Sequence, residues 1–191
     1  LYRTCIVRTE KLLASNDKDA LIKFVDKPIS IQLDDINDFV VLDNRKGIFP
    51  KQNELIKHLC QHKFGIGSDG LILIENNADT DFEMVFYNPD ASQSFCGNGS
   101  RCAVKFAQKL GIVSNSGSFK AIDGIHEFTI NEDTVSIKMR SVSSIESKNE
   151  HYFLNTGSPH FVCFTNNIQN FDIVNEGRKI RYSEDFKSIN G

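Results

Sequence analysis

The sequence predicts an α+β protein built from antiparallel hairpins and a few helices, and three observations carry that prediction. Short apolar runs recur, among them Leu71 to Ile74 and Phe82 to Tyr87. Turn chemistry separates such runs, as at Asp123-Gly124 and at Asn131 to Asp133. Helix periodicity appears in two places, with Leu55, Ile56 and Leu59 in one and Ala103, Phe106, Ala107 and Leu110 in the other. Periodicity alone takes the reading no further than α+β.

In chain order, residues 1–28 hold apolar pieces (Leu12, Leu13, Ala20, Leu21, Phe24, Val25) that predict two short helices, broken at Asn16 and Asp17 and stopped by Pro28. Ile29 to Gln32 and Phe39 to Leu42 read as strands around an acidic turn at Asp34-Asp35. Pro50 to His62 predicts a helix, Gly65 and Gly67 a turn, and Leu71 to Ile74 a buried strand. The strand Phe82 to Tyr87 leads through a polar turn into Cys96-Gly97-Asn98-Gly99-Ser100, where a second helix opens, to be ended by Gly111. Strands follow at 118–122, 126–130, 135–139 and 151–154, with Ser141 to Asn149 as the expected linker. Phe161 to Phe164 starts another strand, Asn167 to Gly177 a short helix, and Ile180 to Tyr182 a strand stub. No internal repeat is visible.

Composition bounds the function. The chain has 191 residues and a net charge of −3, with ordinary apolar and charged content, so nucleic acid is not an expected partner. No apolar run approaches a membrane span, and residues 1–15 do not read as a signal peptide. Five cysteines occur, at positions 5, 60, 96, 102 and 163, without a C-x-x-C pair or a zinc-like His spacing. A reducing cytoplasm is the simplest reading, and no metal is expected. A Cys96–Cys102 disulfide is disfavoured, because six residues of helix hold the two about 9 Å apart.

Cys96 is the chemical centre of the sequence. It falls at a strand-to-helix junction, where the first turn of the helix offers unpaired N–H groups and a partial positive charge. Such a position biases a thiol toward thiolate, from about 8.5 into a range of roughly 3.5 to 7.5. Gly97 and Gly99 leave backbone N–H groups open to an anion such as a carboxylate. A thiolate beside a carboxylate cradle is suited to acting on the α-carbon of an amino acid.

At this point the residues resemble a family. Asn88, Asp90, Ser92 and the run Cys96 to Cys102 are similar to the first active-site segment of diaminopimelate epimerase, the pyridoxal-phosphate-independent isomerase of lysine and peptidoglycan precursor synthesis. Phe64 to Gly70 resembles its G-I-G-x-D-G turn, Asn37 to Asp43 its N-D-F segment, and Asn155 to His160 its G-N/S-P-H turn. The order of these four segments agrees as well. Asp34-Asp35-Ile36 stands where the family carries glycines.

The resemblance implies two similar domains, each a curved sheet wrapped around a central helix. Residues 1–28 would be an N-terminal extension of unknown role, 29–143 the first domain, and 150–191 the start of an incomplete second one. It implies interconversion of LL- and meso-diaminopimelate by two cysteines acting as base and acid, without a cofactor, in a cytoplasmic enzyme that can form a homodimer. Cys96 matches the first cysteine. Asn37, Asn88, Gly97, Asn98 and Ser158 match the substrate-binding positions. Asp69, Asp90 and His160 read as framework residues and Cys102 as packing. The segment that carries the family's second cysteine has no counterpart here, so this chain alone is expected to be inactive. Two rivals stand beside this reading: a related proline or hydroxyproline racemase or phenazine-biosynthesis-like isomerase, and a non-catalytic, small-anion-binding relative. A cysteine hydrolase is disfavoured, since no His with Asn or Asp stands in recognisable context with Cys96.

Overall fold

A computed structural model describes residues 6–7, 37–148, 151–157, 159–164 and 170–186. The helices expected in residues 12–25, the strand at 29–32, the acidic turn at 34–36 and Ser158 lie outside the described residues. The chain divides into two units, Leu1–Met139 and Arg140–Gly191.

The first unit holds strands β1 (Ile6–Val7), β2 (Phe39–Asp43), β3 (Gly70–Glu75), β4 (Phe82–Tyr87), β5 (Ser116–Ala121), β6 (Gly124–Asn131) and β7 (Thr134–Ile137). They form one seven-stranded sheet in chain order. Helix α1 (Asn53–Cys60) lies between β2 and β3, and helix α2 (Gly97–Lys109) between β4 and β5. The expected antiparallel hairpins are present at β3–β4, β5–β6 and β6–β7, but β2–β3 and β4–β5 are parallel, as is β1–β2. For β2–β3 and β4–β5 the reason is connection length. A chain that passes through a helix re-enters the sheet in its original direction, whereas a short turn reverses it.

Burial on β3 shows how the sheet is covered. Leu71, Ile72, Leu73 and Ile74 are all fully buried. Alternate side chains point to opposite faces of a strand. Ile72 and Ile74 join the core around α2, with Phe39, Val41, Ala103, Phe106 and Ala107. Leu71 and Leu73 join a second core with Leu55, Ile56 and Leu59 of α1. A strand buried on both faces reads as a continuous apolar run, which is what the sequence has there. Strand β6 is covered on one face only: His126, Phe128 and Ile130 are buried while Ile125, Glu127 and Thr129 are exposed.

The sheet curls around α2. This helix packs against β2, β3, β4 and β7. In a flat sheet with strands about 4.8 Å apart, β2 and β7 would lie roughly 24 Å from each other. A helix about 10–12 Å across reaches both only if the sheet bends toward it. Stacked rings of Phe82 and Phe119, with centroids 5.4 Å apart, fill the inside of that curve. The helix ends as expected. Gly111 takes φ +71°, its N–H donates to the Gln108 carbonyl at 3.0 Å, and the Ile112 N–H donates to Ala107 at 2.9 Å. This is a Schellman cap, whose left-handed residue favours glycine.

In the second unit β8 (Ile145–Lys148), β9 (His151–Asn155) and β10 (Pro159–Cys163) form an antiparallel sheet in the order β10–β9–β8. Part of the expected linker is therefore a strand. Its side chains carry no apolar alternation because Ile145, Glu146 and Ser147 are all exposed, and pairing to β9 defines it instead. Helix α3 (Ile173–Arg181) starts later than expected, where the Asp172 carboxylate accepts the Asn175 N–H at 3.1 Å. It replaces the expected strand stub at Ile180 to Tyr182. Phe153 and Phe161 meet the ring of Phe186, with centroids 5.5 and 5.6 Å away.

Candidate functional site

The N-terminus of α2 gathers most of the residues singled out in the sequence. Cys96 is the N-cap, in extended conformation with φ −127° and ψ 109°, and its Sγ accepts the Gly99 N–H at 3.3 Å. A helix begins here because the N-cap side chain satisfies one of the first-turn donors that has no partner within the helix. Gly99 is tightly placed: a Cβ there would sit 3.2 Å from Ile72 Cδ1 and 3.4 Å from Cys96 Sγ. That carbon would press first on Ile72, with the thiol at the edge of ordinary van der Waals contact. Around Gly97 the space is open, and a Cβ would meet only Arg101 Nη1 at 3.9 Å. Cys96, Gly97 and Asn98 are half-buried.

A chain of hydrogen bonds joins Asn98 to a segment far away in sequence. Arg101 Nη1 donates to Asn98 Oδ1 at 3.0 Å and to the Gly97 carbonyl at 3.1 Å. Asn98 Nδ2 donates to Asn37 Oδ1 at 2.8 Å, across 61 positions. Asn37 Nδ2 then donates to Asp69 Oδ2 at 3.2 Å, an oxygen that also accepts the Asp38 N–H at 2.9 Å. Guanidinium only donates and carboxylate only accepts, so the two ions at the ends determine which way both amides face. Asn37 is thus tied to Asn98 beside Cys96.

Asn88 stands at the end of β4, in a turn of its own. Its Nδ2 donates to the Ser92 carbonyl at 3.3 Å, to Ser92 Oγ at 3.1 Å and to Ser94 Oγ at 3.1 Å. The carbonyl can only accept, which orients this amide too. Asp90 braces the same turn, accepting the Ser92 hydroxyl at 2.6 Å and the Ser92 N–H at 2.9 Å. Those bonds, the hydroxyl first, hold the Asp90 carboxyl below its usual range. Through Ser94 the turn is linked to the loop that leads into Cys96.

Other expectations resolve as follows. Cys102 is buried in the core around α2, a packing position, and no disulfide joins it to Cys96. Burial pushes the Cys60 thiol up, which disfavours a reactive role there. His160 is exposed, with Nδ1 3.3 Å from Thr156 Oγ1. Sequence reasoning missed Arg101 as an orienting group, although it falls three residues after Asn98, at helix contact spacing. It assigned Asp69 only to a turn. Nothing local in the sequence links Asp69 to Asn37, 32 positions away. Among the described residues no three His, Cys, Asp or Glu side chains are arranged to hold a metal ion, and no helix is long and apolar enough to cross a membrane.

The family described as Diaminopimelate epimerase matches residues 35–145. The chain is 57% identical over 151 residues to the diaminopimelate epimerase of Flavobacterium psychrophilum, covering 78% of this chain and 59% of that protein. It is 36% identical over 158 residues to the diaminopimelate epimerase of Chlorobaculum tepidum, covering 78% of this chain and 62% of the relative. The chain thus spans about three fifths of the length of these curated relatives. Among solved structures, a phenazine biosynthesis protein of the PhzF family from Bacillus anthracis matches with a TM-score of 0.48 at 13% identity, over 64% of this chain and 48% of that one.

Proposed function

Since the chain belongs to the diaminopimelate epimerase family, we propose that it is the larger part of an enzyme interconverting LL- and meso-diaminopimelate at the α-carbon. The observation that carries this reading is Cys96 as the N-cap of α2, with its sulfur on the Gly99 N–H and the Asn37–Asn98 pair alongside. Removing an α-proton from an amino acid requires a base on one face, an acid on the other, and donors where charge gathers on the carboxylate. In this reading the Cys96 thiolate takes the α-proton, and the electron pair of the broken C–H bond moves into the carboxylate. The first-turn N–H groups at Gly97 and Asn98 stabilise that charge. Asn37 and Asn88 hold the remaining polar groups of the substrate. A second thiol returns a proton to the opposite face.

That second thiol is not identified in this chain. Of its other cysteines, none stands in a sequence context like that of the family's second catalytic residue. Residues 29–143 then form the first domain and 150–191 belong to a second domain of similar design. The working enzyme is cytoplasmic, needs no cofactor, and is able to pair as a homodimer. The test is direct. The 191-residue chain, incubated with LL-diaminopimelate, is expected to give no meso isomer by chiral chromatography, whereas a protein of the relatives' full length with the same residues 37–157 is expected to give it. Turnover by the short chain overturns the single-thiol reading. A full-length protein that binds the substrate without turnover favours the small-anion-binding relative.

A further inference from the structure

Strand β6 places a histidine where its pattern calls for an apolar residue. His126 is fully buried, on the same face as Phe128 and Ile130. Its ring stacks with two others, Phe95 at 4.4 Å and 14° and Phe119 at 5.4 Å and 20°. Nδ1 is 3.0 Å from the Lys138 carbonyl oxygen, and Nε2 is 2.9 Å from Asp123 Oδ1. The Asp123 side chain is itself only 7% exposed.

Both ring nitrogens face oxygen acceptors. A carbonyl can only accept, so Nδ1 carries a proton. A single proton between Nε2 and Asp123 Oδ1 completes that contact, so both ends of the ring are hydrogen-bonded. The Lys138 ammonium does not share this site: it pairs with Glu127 at 2.8 Å on the surface. Asp123 is the hydrogen-bond partner of Nε2.

Phe95, one face of this stack, is the residue before Cys96. We propose that His126, held by Asp123 at one ring nitrogen and by the Lys138 carbonyl at the other, is a positioning residue for Cys96. Two hydrogen bonds at opposite ends of the imidazole set its plane. The plane sets the Phe95 ring, and Phe95 sets the backbone from which Cys96 presents its sulfur to the Gly99 N–H. His126 touches no reacting atom; it acts through Phe95.

The experiment uses the 191-residue chain and two readouts. In nitrogen–proton NMR of the wild type, the His126 Nδ1–H is expected as a slowly exchanging signal held by the Lys138 carbonyl, and its absence overturns the proposal. The second readout is the rate of Cys96 alkylation by iodoacetamide, followed by peptide mass spectrometry, with Cys102, 1% exposed, as the internal measure of folding. In Asp123→Asn, which keeps the shape of the side chain, Cys96 alkylation is expected to slow roughly three- to tenfold, the worth of about one hydrogen bond to the thiolate, while Cys102 stays protected. Simple loosening of the core would do the opposite and speed alkylation of both thiols. Unchanged or faster Cys96 alkylation therefore overturns the proposal. Neither readout uses epimerase turnover, so a chain without that activity is tested equally well.

Discussion

Capping and thiol chemistry make different demands on residue 96, and substitution separates them. A serine hydroxyl is a better N-cap acceptor than a thiol. Cys96→Ser is therefore expected to match or exceed the wild-type urea midpoint while abolishing alkylation at this position. Cys96→Ala, which leaves the Gly99 N–H without its acceptor, is expected to lose about 0.5–1 kcal/mol in the same unfolding experiment, the low end for a cap because sulfur accepts weakly. A serine variant that unfolds far earlier than wild type would mean the sulfur packs as well as caps. Cys96, Gly97, Asn98 and Asn88 were legible in sequence because they share one short segment with its own turn and helix signals. The orienting ions were not. Asp69 reaches Asn37 only because β2 and β3 lie side by side, with Phe39 opposite Gly70 in the parallel register.

At the scale of elements, helix α2 is where local and tertiary signals agree most fully. Its apolar positions Ala103, Phe106 and Ala107 are buried, and Gly111 closes it. A Cβ at Gly111 would have nothing within 4 Å, so only backbone conformation opposes a substitution there. Gly111→Ala is expected to cost about 1–2 kcal/mol, the strain of a left-handed residue with a side chain, measured by urea denaturation. A cost near zero would mean that the cap rearranges. The strands of the first unit were also legible, since a half-buried strand alternates and a doubly covered one runs apolar. Their pairing directions were not, because whether a neighbour is parallel depends on the path of the connection and not on the strand itself. Strand β8 left no trace in its side chains, as an exposed edge strand is held by backbone hydrogen bonds alone.

At the scale of the molecule, the two units differ in how much they bury. The first has two apolar cores, one on each face of β3. Among the described residues of the second none is fully buried, and Phe164 and Tyr182 are largely exposed. Stability follows apolar area removed from water. Residues 1–143 on their own are accordingly expected to unfold cooperatively in urea, with the slowest amide exchange in β3 and α2. A gradual, non-cooperative transition for that fragment would show that the proposed first domain depends on residues beyond 143.

What the sequence determined by itself is local: the elements in the first unit, the start and stop of α2, and a cysteine at a helix N-terminus flanked by glycines. These follow from side-chain period, capping and turn preference, which act over a few residues. What only the tertiary structure decided is who meets whom across distance. The curl of the sheet around α2, the Asp69–Asn37–Asn98–Arg101 chain and the stack of Phe95, His126 and Phe119 each join segments brought together by crossovers. An inward-facing histidine on β6 looks like a break in an apolar pattern until the carboxylate, the carbonyl and the two rings around it are seen in place.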